Sequence, residues 1–297
     1  MFRFVNLALG GVSNGMIYAA VALSLVMIWR STRIVNFAAG GMLMFTTFIG
    51  WDLVQVHNVN YWAALAVATL SGLIIGGVAE RVLVRPVETG PPLNPVIVTL
   101  GLLIALEALA GMIWGNSQSH SYPPAYDFRG YTAGSHHLFF APNDLFIVIT
   151  VAAIVVLLYL LFQRTALGLR MRAAAFNPEV SRLLGVRVGR LLTLGWAVSA
   201  AVGAVAGVLA AGTSTGYVQP TGPFDALLVY GFTAAVIGGL DSPAGAVVGG
   251  LSLGLLLSWA DSYIDNNIEP MYALVILVAV LMVRPNGLFA RAAARRV

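Results

Sequence analysis

Long apolar runs separated by short polar turns divide the chain into nine stretches, at about 5–29, 34–56, 61–84, 96–114, 145–162, 191–212, 225–240, 243–259 and 271–283. Most are close to the ~20 residues that carry an α-helix across a ~30 Å hydrocarbon layer. Barrel strands would be shorter and would alternate in polarity. The expected fold class is therefore all-α, a polytopic membrane helical bundle in one transmembrane domain spanning 1–297. The stretches 225–240 and 243–259 meet at Asp241-Ser242 and read equally as two short spans or as re-entrant half-helices, which leaves eight or nine crossings.

Charge gives the bundle its sides. Arg30 and Arg33 follow the first run, Arg81 and Arg85 end the third, and Arg284, Arg291, Arg295 and Arg296 follow the last. The segment 164–190 holds six more arginines (Arg164, Arg170, Arg172, Arg182, Arg187 and Arg190). An arginine at the bilayer centre costs about 2.5–3.5 kcal/mol on insertion scales, so 164–190 lies in water, and basic loops mark the cytoplasm. The C-terminus falls on that side. The alternate connections, 115–142, 214–224 and 261–269, are poor in arginine and fall outside. An odd count of crossings puts the N-terminus outside, against which Arg3 is the single opposing charge.

Composition sharpens the class. The chain is 59% hydrophobic and 9% charged, with a mean hydropathy of +0.87, against roughly 25% charged in soluble domains. All of its basic residues are arginine, so it has neither the lysine of a Walker A loop nor a Schiff-base lysine. Without cysteine it has no disulfide, zinc thiolate or thiol nucleophile. The net charge of +4 belongs to the cytoplasmic arginines and implies no nucleic acid. The first run is too long for a signal-peptide core and counts as a span.

The basic segment carries helical punctuation. Asn177 suits an N-cap, Pro178 the first helical position, Glu179 the positive end of the dipole and Gly185 a left-handed close. Two turns are too short to stand alone in water. Either a partner holds them, or the segment is a solvated loop with a stray turn. Within the spans, Glu107 is a deep acid without a visible partner in sequence. It faces a substrate ammonium or a proton path, or it is a structural carboxyl between helices. Asn36 and Thr99 line a pathway or bond between helices. The histidines lack metal-ligand spacing, and no serine–histidine–acid set is visible. Glycines four apart recur (Gly11/Gly15, Gly72/Gly76, Gly111/Gly115, Gly203/Gly207, Gly245/Gly249 and Gly250/Gly254), a spacing that lets helix backbones approach closely.

Together these stretches resemble the LivH-type permease subunits of ATP-binding-cassette importers for branched-chain amino acids. Gly11-x-x-x-Gly15-x-x-Tyr18-Ala19-x-x-Ala22-Leu23 looks like the family's first span, and Arg33-Ile-Val-Asn36-Phe37-Ala38-x-Gly40 like its next signature, with Ala39 where histidine is usual. Glu80-Arg81, Arg85-Pro86 and Thr99-Leu100-Gly101 match its middle spans. Glu179-Val180-Ser181-x-x-x-Gly185 is similar to the coupling loop of import permeases, with Val180 and Ser181 in place of alanines. Gly238-Gly239-Leu240-Asp241-Ser242-Pro243-x-Gly245-Ala246 matches a late motif with Asp241 in place of glycine. Arg284-Pro285-x-Gly287-Leu288-Phe289 matches the family's end.

The resemblance implies a bacterial inner-membrane, multi-pass transport subunit that is not itself an enzyme. No cofactor is expected in this chain, because ATP is used by partner subunits. The implied partners are a second homologous permease, two cytoplasmic ATPase subunits, an outer solute-binding protein and the lipid bilayer. A coupling loop at 164–190, with Arg170, Arg172, Asn177, Glu179, Arg182 and Gly185, would pass ATPase motion to the bundle. Asn36, Thr99 and Glu107 are pathway candidates, and 115–142 and 261–269 candidate contacts for the binding protein. The resemblance implies inward alternating access for branched-chain or related neutral amino acids. Urea and short amides are substrates of the same family pattern, and an ion-coupled secondary transporter using Glu107 and the Asp241 region is the rival class.

Overall fold

The protein is described by a computed structural model covering residues 2–88, 90–91, 93–115, 119–130, 132–133, 136–137, 140–213, 216–264, 268–284 and 287–289. Among these are 11 α-helices: α1 Phe2–Thr32, α2 Ala39–Gln55, α3 Tyr61–Ala79, α4 Leu93–Trp114, α5 Pro142–Arg164, α6 Ala166–Phe176, α7 Pro178–Leu183, α8 Val188–Ala211, α9 Pro223–Gly238, α10 Pro243–Tyr263 and α11 Glu269–Val283. The expected Arg291, Arg295 and Arg296 lie outside the described residues. Six helices (α1, α3 with its extension to Val87, α4, α5, α8 and α10) are long and apolar enough to cross a membrane. The expected eight or nine crossings rest on α2, α9 and α11, whose 17, 16 and 15 residues fall short of a ~20-residue span.

At the centre stands α1, packed by α10, α8, α9 and α5. From Gly15 to Ile28 it is buried on every face, as expected for a helix with no polar stripe. The wide surfaces of α3, α4 and α5 point outward with Leu70, Ile74, Ile97, Ile104 and Leu157 exposed, the surface a bilayer would cover.

The glycine spacing builds the tightest seam. A Cβ at Gly15 would meet the Gly250 carbonyl oxygen at 2.9 Å, and one at Gly11 the Gly254 carbonyl at 3.0 Å. Further along, Phe4 stacks on Trp259 and the Ser258 hydroxyl donates to the Leu7 carbonyl at 2.7 Å. At the other end Arg33, just past α1, pairs with Asp241 at 2.6 Å. So α10 runs antiparallel to α1 along its length, and the Asp241-Ser242 turn lies at the same end of the bundle as the α1–α2 turn. Gly72 and Gly76 make a second seam between α3 and α8, against Ala200 and Trp196.

The opposite end is closed by loops and rings. Two-residue strands β1 His120–Ser121 and β4 Tyr217–Val218 pair antiparallel, and β2 Thr132–Ala133 pairs with β3 His136–His137. The Trp51 indole donates to the Ser121 carbonyl at 3.2 Å, and the Trp114 indole to Asp52 at 3.3 Å. Phe48, Tyr61, Trp62, Tyr126 and Phe146 complete a ring cluster, in keeping with the aromatic belts of membrane interfaces.

Candidate functional site

At the arginine-rich end the chain leaves the bundle and makes two helices. The Thr165 hydroxyl accepts from the Gly168 amide at 3.2 Å and starts α6, a helix the sequence reading did not foresee although Ala-Leu-Gly-Leu-Arg-Met-Arg-Ala-Ala-Ala is rich in helix formers. Asn177 Oδ1 accepts from the Val180 amide at 3.0 Å and caps α7. Gly185, at φ +80°, turns the chain back toward α8. Arg170, Arg172, Glu179 and Arg182 are exposed, and Arg172 donates to Gln163 at 2.8 Å. Beside them Leu183 and Leu184 are 87% and 78% exposed, whereas Ser181 is buried. The candidate residues of this segment therefore share one projection, and its tip is apolar.

Directly behind it lies a buried charge network. After α3 the helix loosens into one π-turn, Glu80–Val84, followed by a 3-10 turn, Arg85–Val87. That winding brings residue 85 back over residue 80. Arg85 donates to both Glu80 oxygens, at 2.9–3.0 Å. The Thr193 hydroxyl donates to Glu80 Oε2 at 2.7 Å, and Arg85 also reaches the Gly189 carbonyl. Glu80 is wholly buried, yet its charge is matched and its lone pairs are occupied, the condition under which a buried ion pair is tolerated. Glu88, one turn on, has its carboxyl pushed above the usual range by burial and by Glu80, while Arg85 and Arg182 pull it back. Arg182 of α7 thus lies within electrostatic reach of the α3–α4 connection.

The three pathway candidates each make contacts of their own. Asn36 is buried and its Oδ1 accepts from the Ala38 amide at 3.0 Å, holding the turn before α2. Thr99 is fully buried and donates to its own helix, at the Val96 carbonyl, 3.0 Å away. Glu107 sits about 12 Å further along α4, at ~1.5 Å per residue. Contrary to the expectation of a partnerless acid, its carboxyl meets that of Asp225 in the first turn of α9. The sequence reading began the seventh stretch at Asp225 without seeing that folding would lay it beside α4. No hydrogen bond among the described residues joins the three candidates.

A feature missed in sequence is a cavity of about 190 Å³ between α1, α8, α9 and α11. Tyr18 and Tyr230 line it, with ring centroids 5.0 Å apart. The Tyr18 hydroxyl donates to Glu269 Oε1 at 3.1 Å, and Tyr230 lies within electrostatic reach of Glu269. Among the described residues no ion pair reaches Glu269. The signal was Tyr18 well inside the first span, because a buried tyrosine hydroxyl needs a partner.

A bundle of long apolar helices with a basic helical projection at one end and a cavity toward the other is built as a polytopic membrane protein. The chain belongs to the family described as branched-chain amino acid transport system / permease component, whose pattern it matches over residues 7–284. It is similar to the high-affinity branched-chain amino acid transport system permease protein LivH of Salmonella typhimurium, 28% identical over 97% of this chain and 96% of that one. It is also similar to the fructose import permease protein FruF of Bifidobacterium longum, 27% identical over 77% of this chain and 64% of that protein. In fold it resembles a chain of PsaBC from Streptococcus pneumoniae, solved in complex with Fab, with a TM-score of 0.52, 13% identity and coverage of 96% of this chain and 94% of that one.

Proposed function

We propose that this chain is a permease subunit of a bacterial inner-membrane ATP-binding-cassette importer, moving branched-chain or related neutral amino acids inward by alternating access, with the C-terminus in the cytoplasm. Separate ATPase subunits supply the energy, a second permease completes the pathway, and an outer binding protein delivers the solute. The observation that carries the reading is α7: a six-residue helix, too short to be stable alone, that bears exposed Glu179 and Arg182 and ends on exposed Leu183 and Leu184. Such a tip suits docking into a cytoplasmic partner. Arg170 and Arg172 precede it on α6, and the Glu80–Arg85–Thr193 network joins the end of α3 to the first turns of α8, where the chain re-enters the bundle. ATPase closure would then move α3 and α8 together.

The test is gentle purification of the tagged chain from its native membrane, with identification of the chains that come with it and an ATPase assay. A second permease and ATPases are expected, and Glu179→Arg is expected to release the ATPases. Recovery of the chain alone, still transporting after reconstitution, overturns the reading. Competition of uptake by leucine, urea, acetamide and fructose then separates the substrate classes.

A second reading draws on the Glu107–Asp225 pair. Two carboxyls sharing one place between helices suit a proton-coupled transporter. Glu107→Gln decides: uptake that keeps its rate and its pH dependence removes the proton-coupled reading.

A further inference from the structure

We propose that the cavity between α1, α8, α9 and α11 receives the ammonium group of a small neutral amino acid, with Glu269 as its counter-ion and Tyr18 and Tyr230 as the groups that aim it. The identity of the solute rests on the importer reading. The ammonium chemistry comes from the cavity itself.

Size is the first argument. At about 190 Å³ the cavity is smaller than the ~300–1,000 Å³ of sites for drug-sized ligands, yet it holds far more than one water, which needs only ~10–15 Å³ of such space. Its lining is divided. Ile17, Phe224 and Leu227 offer an apolar wall, while Tyr18, Tyr230 and Glu269 gather at one polar pole. A solute with one cationic end and a short aliphatic body matches that division. A sugar, with hydroxyls all round, would leave several of them against the apolar wall without partners.

Charge is the second argument. Glu269 accepts a hydrogen bond from Tyr18 and has Tyr230 within electrostatic reach, and neither tyrosine brings a positive charge. Asp261 of α10 lies within electrostatic reach of Glu269, and its Oδ1 is buried with no hydrogen-bond partner among the described residues. An ammonium brings up to three N–H donors and a full charge, and hydrogen bonds between ionised groups are about twice as strong as neutral ones. The two tyrosine rings, tilted at 53° to each other, add electron-rich faces that attract a cation.

Position is the third. Ala210 and Ala211, which end α8, and Pro223, which begins α9, border the cavity, so it lies at the end away from the arginine-rich loops. Asn14 and Tyr217 are exposed at its margin. A solute delivered from outside would meet this polar pole early in its passage.

The experiment uses the full chain in lipid nanodiscs and reads thermal stabilisation by three probes of like size: leucine, isoamylamine and 4-methylpentanoate. The proposal expects leucine and isoamylamine to stabilise the protein and 4-methylpentanoate, which lacks the nitrogen, to have no effect. Glu269→Gln should raise the half-saturating concentration of both amines by at least about tenfold, the scale of a lost charged hydrogen bond. Should Glu269→Gln fail to fold, Tyr230→Phe removes one hydroxyl and is expected to raise it severalfold. Equal stabilisation by 4-methylpentanoate, no stabilisation by any probe, or unchanged half-saturation in the variant that folds overturns the proposal. The assembled transporter separates this from the importer reading. Leucine uptake with an unchanged KM in Glu269→Gln sinks the cavity site and leaves the importer. Amine-dependent stabilisation without leucine uptake keeps the site and removes leucine as cargo.

Discussion

Glu80 and Glu269 are two carboxyls set into opposite ends of one bundle, and their surroundings differ in kind. Glu80 is sealed at the arginine-rich end, gripped on both oxygens by Arg85 and capped by Thr193. Glu269 opens on a cavity, and among the described residues it accepts a hydrogen bond from Tyr18 and has Tyr230 beside it, with no cation paired to it. The first arrangement is complete in itself, since the attraction between the charges offsets the cost of removing them from water. The second is oriented but unmatched. A matched buried charge holds parts together, while an unmatched one at a cavity awaits a cation from elsewhere.

The largest expected effect follows from unmatching the first. Arg85→Ala leaves Glu80 buried without a counter-charge, which costs about 3–5 kcal/mol. Loss of most of the monodisperse protein in mild detergent is expected, measured by fluorescence-detected size exclusion. Glu80→Met with Arg85→Met, which removes both charges and keeps the volume, should restore much of it. Glu269→Gln orphans no cation among the described residues and should leave the unfolding midpoint close to wild type. A midpoint as low as that of Arg85→Ala would mean the two carboxyls serve alike, and the contrast would fall.

Next in size is a change to the seam that carries Tyr18. A Cβ on Gly250 would fall onto the backbone of Ala19, one residue along from Tyr18. Forcing extra atoms into a close-packed interface costs typically ~1–3 kcal/mol. Gly250→Val should therefore lower the unfolding midpoint and abolish amine-dependent stabilisation, while Glu179-dependent association with ATPases persists. Loss of both would show that the two ends are not separable in this way.

That seam was legible in the letters. Gly11/Gly15 and Gly250/Gly254 stood out by spacing, and the structure lays one pair against the other. So was the cap of α7, because Asn177, Pro178 and Gly185 act on their own neighbours. What the sequence hid is what folding brings together from afar. Thr193 meets Glu80 across 113 positions and Glu269 meets Tyr18 across 251. The π-turn that aligns Arg85 with Glu80 has no local signature either, and Asp225 came to Glu107 only through the packing of α9. For the same reason the sequence shows only the charge of Glu269, within the expected outer loop 261–269, whereas folding makes it the first residue of α11 and brings Tyr18 to it.

A smaller effect acts on the cytoplasmic end alone. Asn177→Ala removes the side-chain acceptor of the Val180 amide, and loss of such a cap costs about 0.5–2 kcal/mol. Because α7 makes few contacts of its own, the loss should appear as weaker ATPase association, about two- to thirtyfold by titration in nanodiscs, with the unfolding midpoint of the bundle unchanged. Amine-dependent stabilisation through Glu269 should be the same as in wild type. A change there would tie the outer cavity to the fold of α7 and blur the division between the ends.

The smallest effect is a matter of pH and concerns Glu88, which stands between the two extremes. It is half-buried beside the Glu80 network, with Arg85 and Arg182 near enough to act on it but not to cancel the effect of burial and of Glu80. Its carboxyl therefore holds its proton to higher pH in the folded protein than in the unfolded chain. The associated stability is complete below the unfolded value, and it is lost as pH rises through the raised folded value. Glu88→Gln cannot ionise, so it should melt with wild type at low pH and above it at neutral pH, a shift of a degree or so read by differential scanning fluorimetry. Arg182→Ala should widen that gap, because it removes a cation that draws the carboxyl down. A gap of opposite sign would show that Arg85 and Arg182 outweigh burial, and Glu88 would then belong with Glu80 as a matched charge.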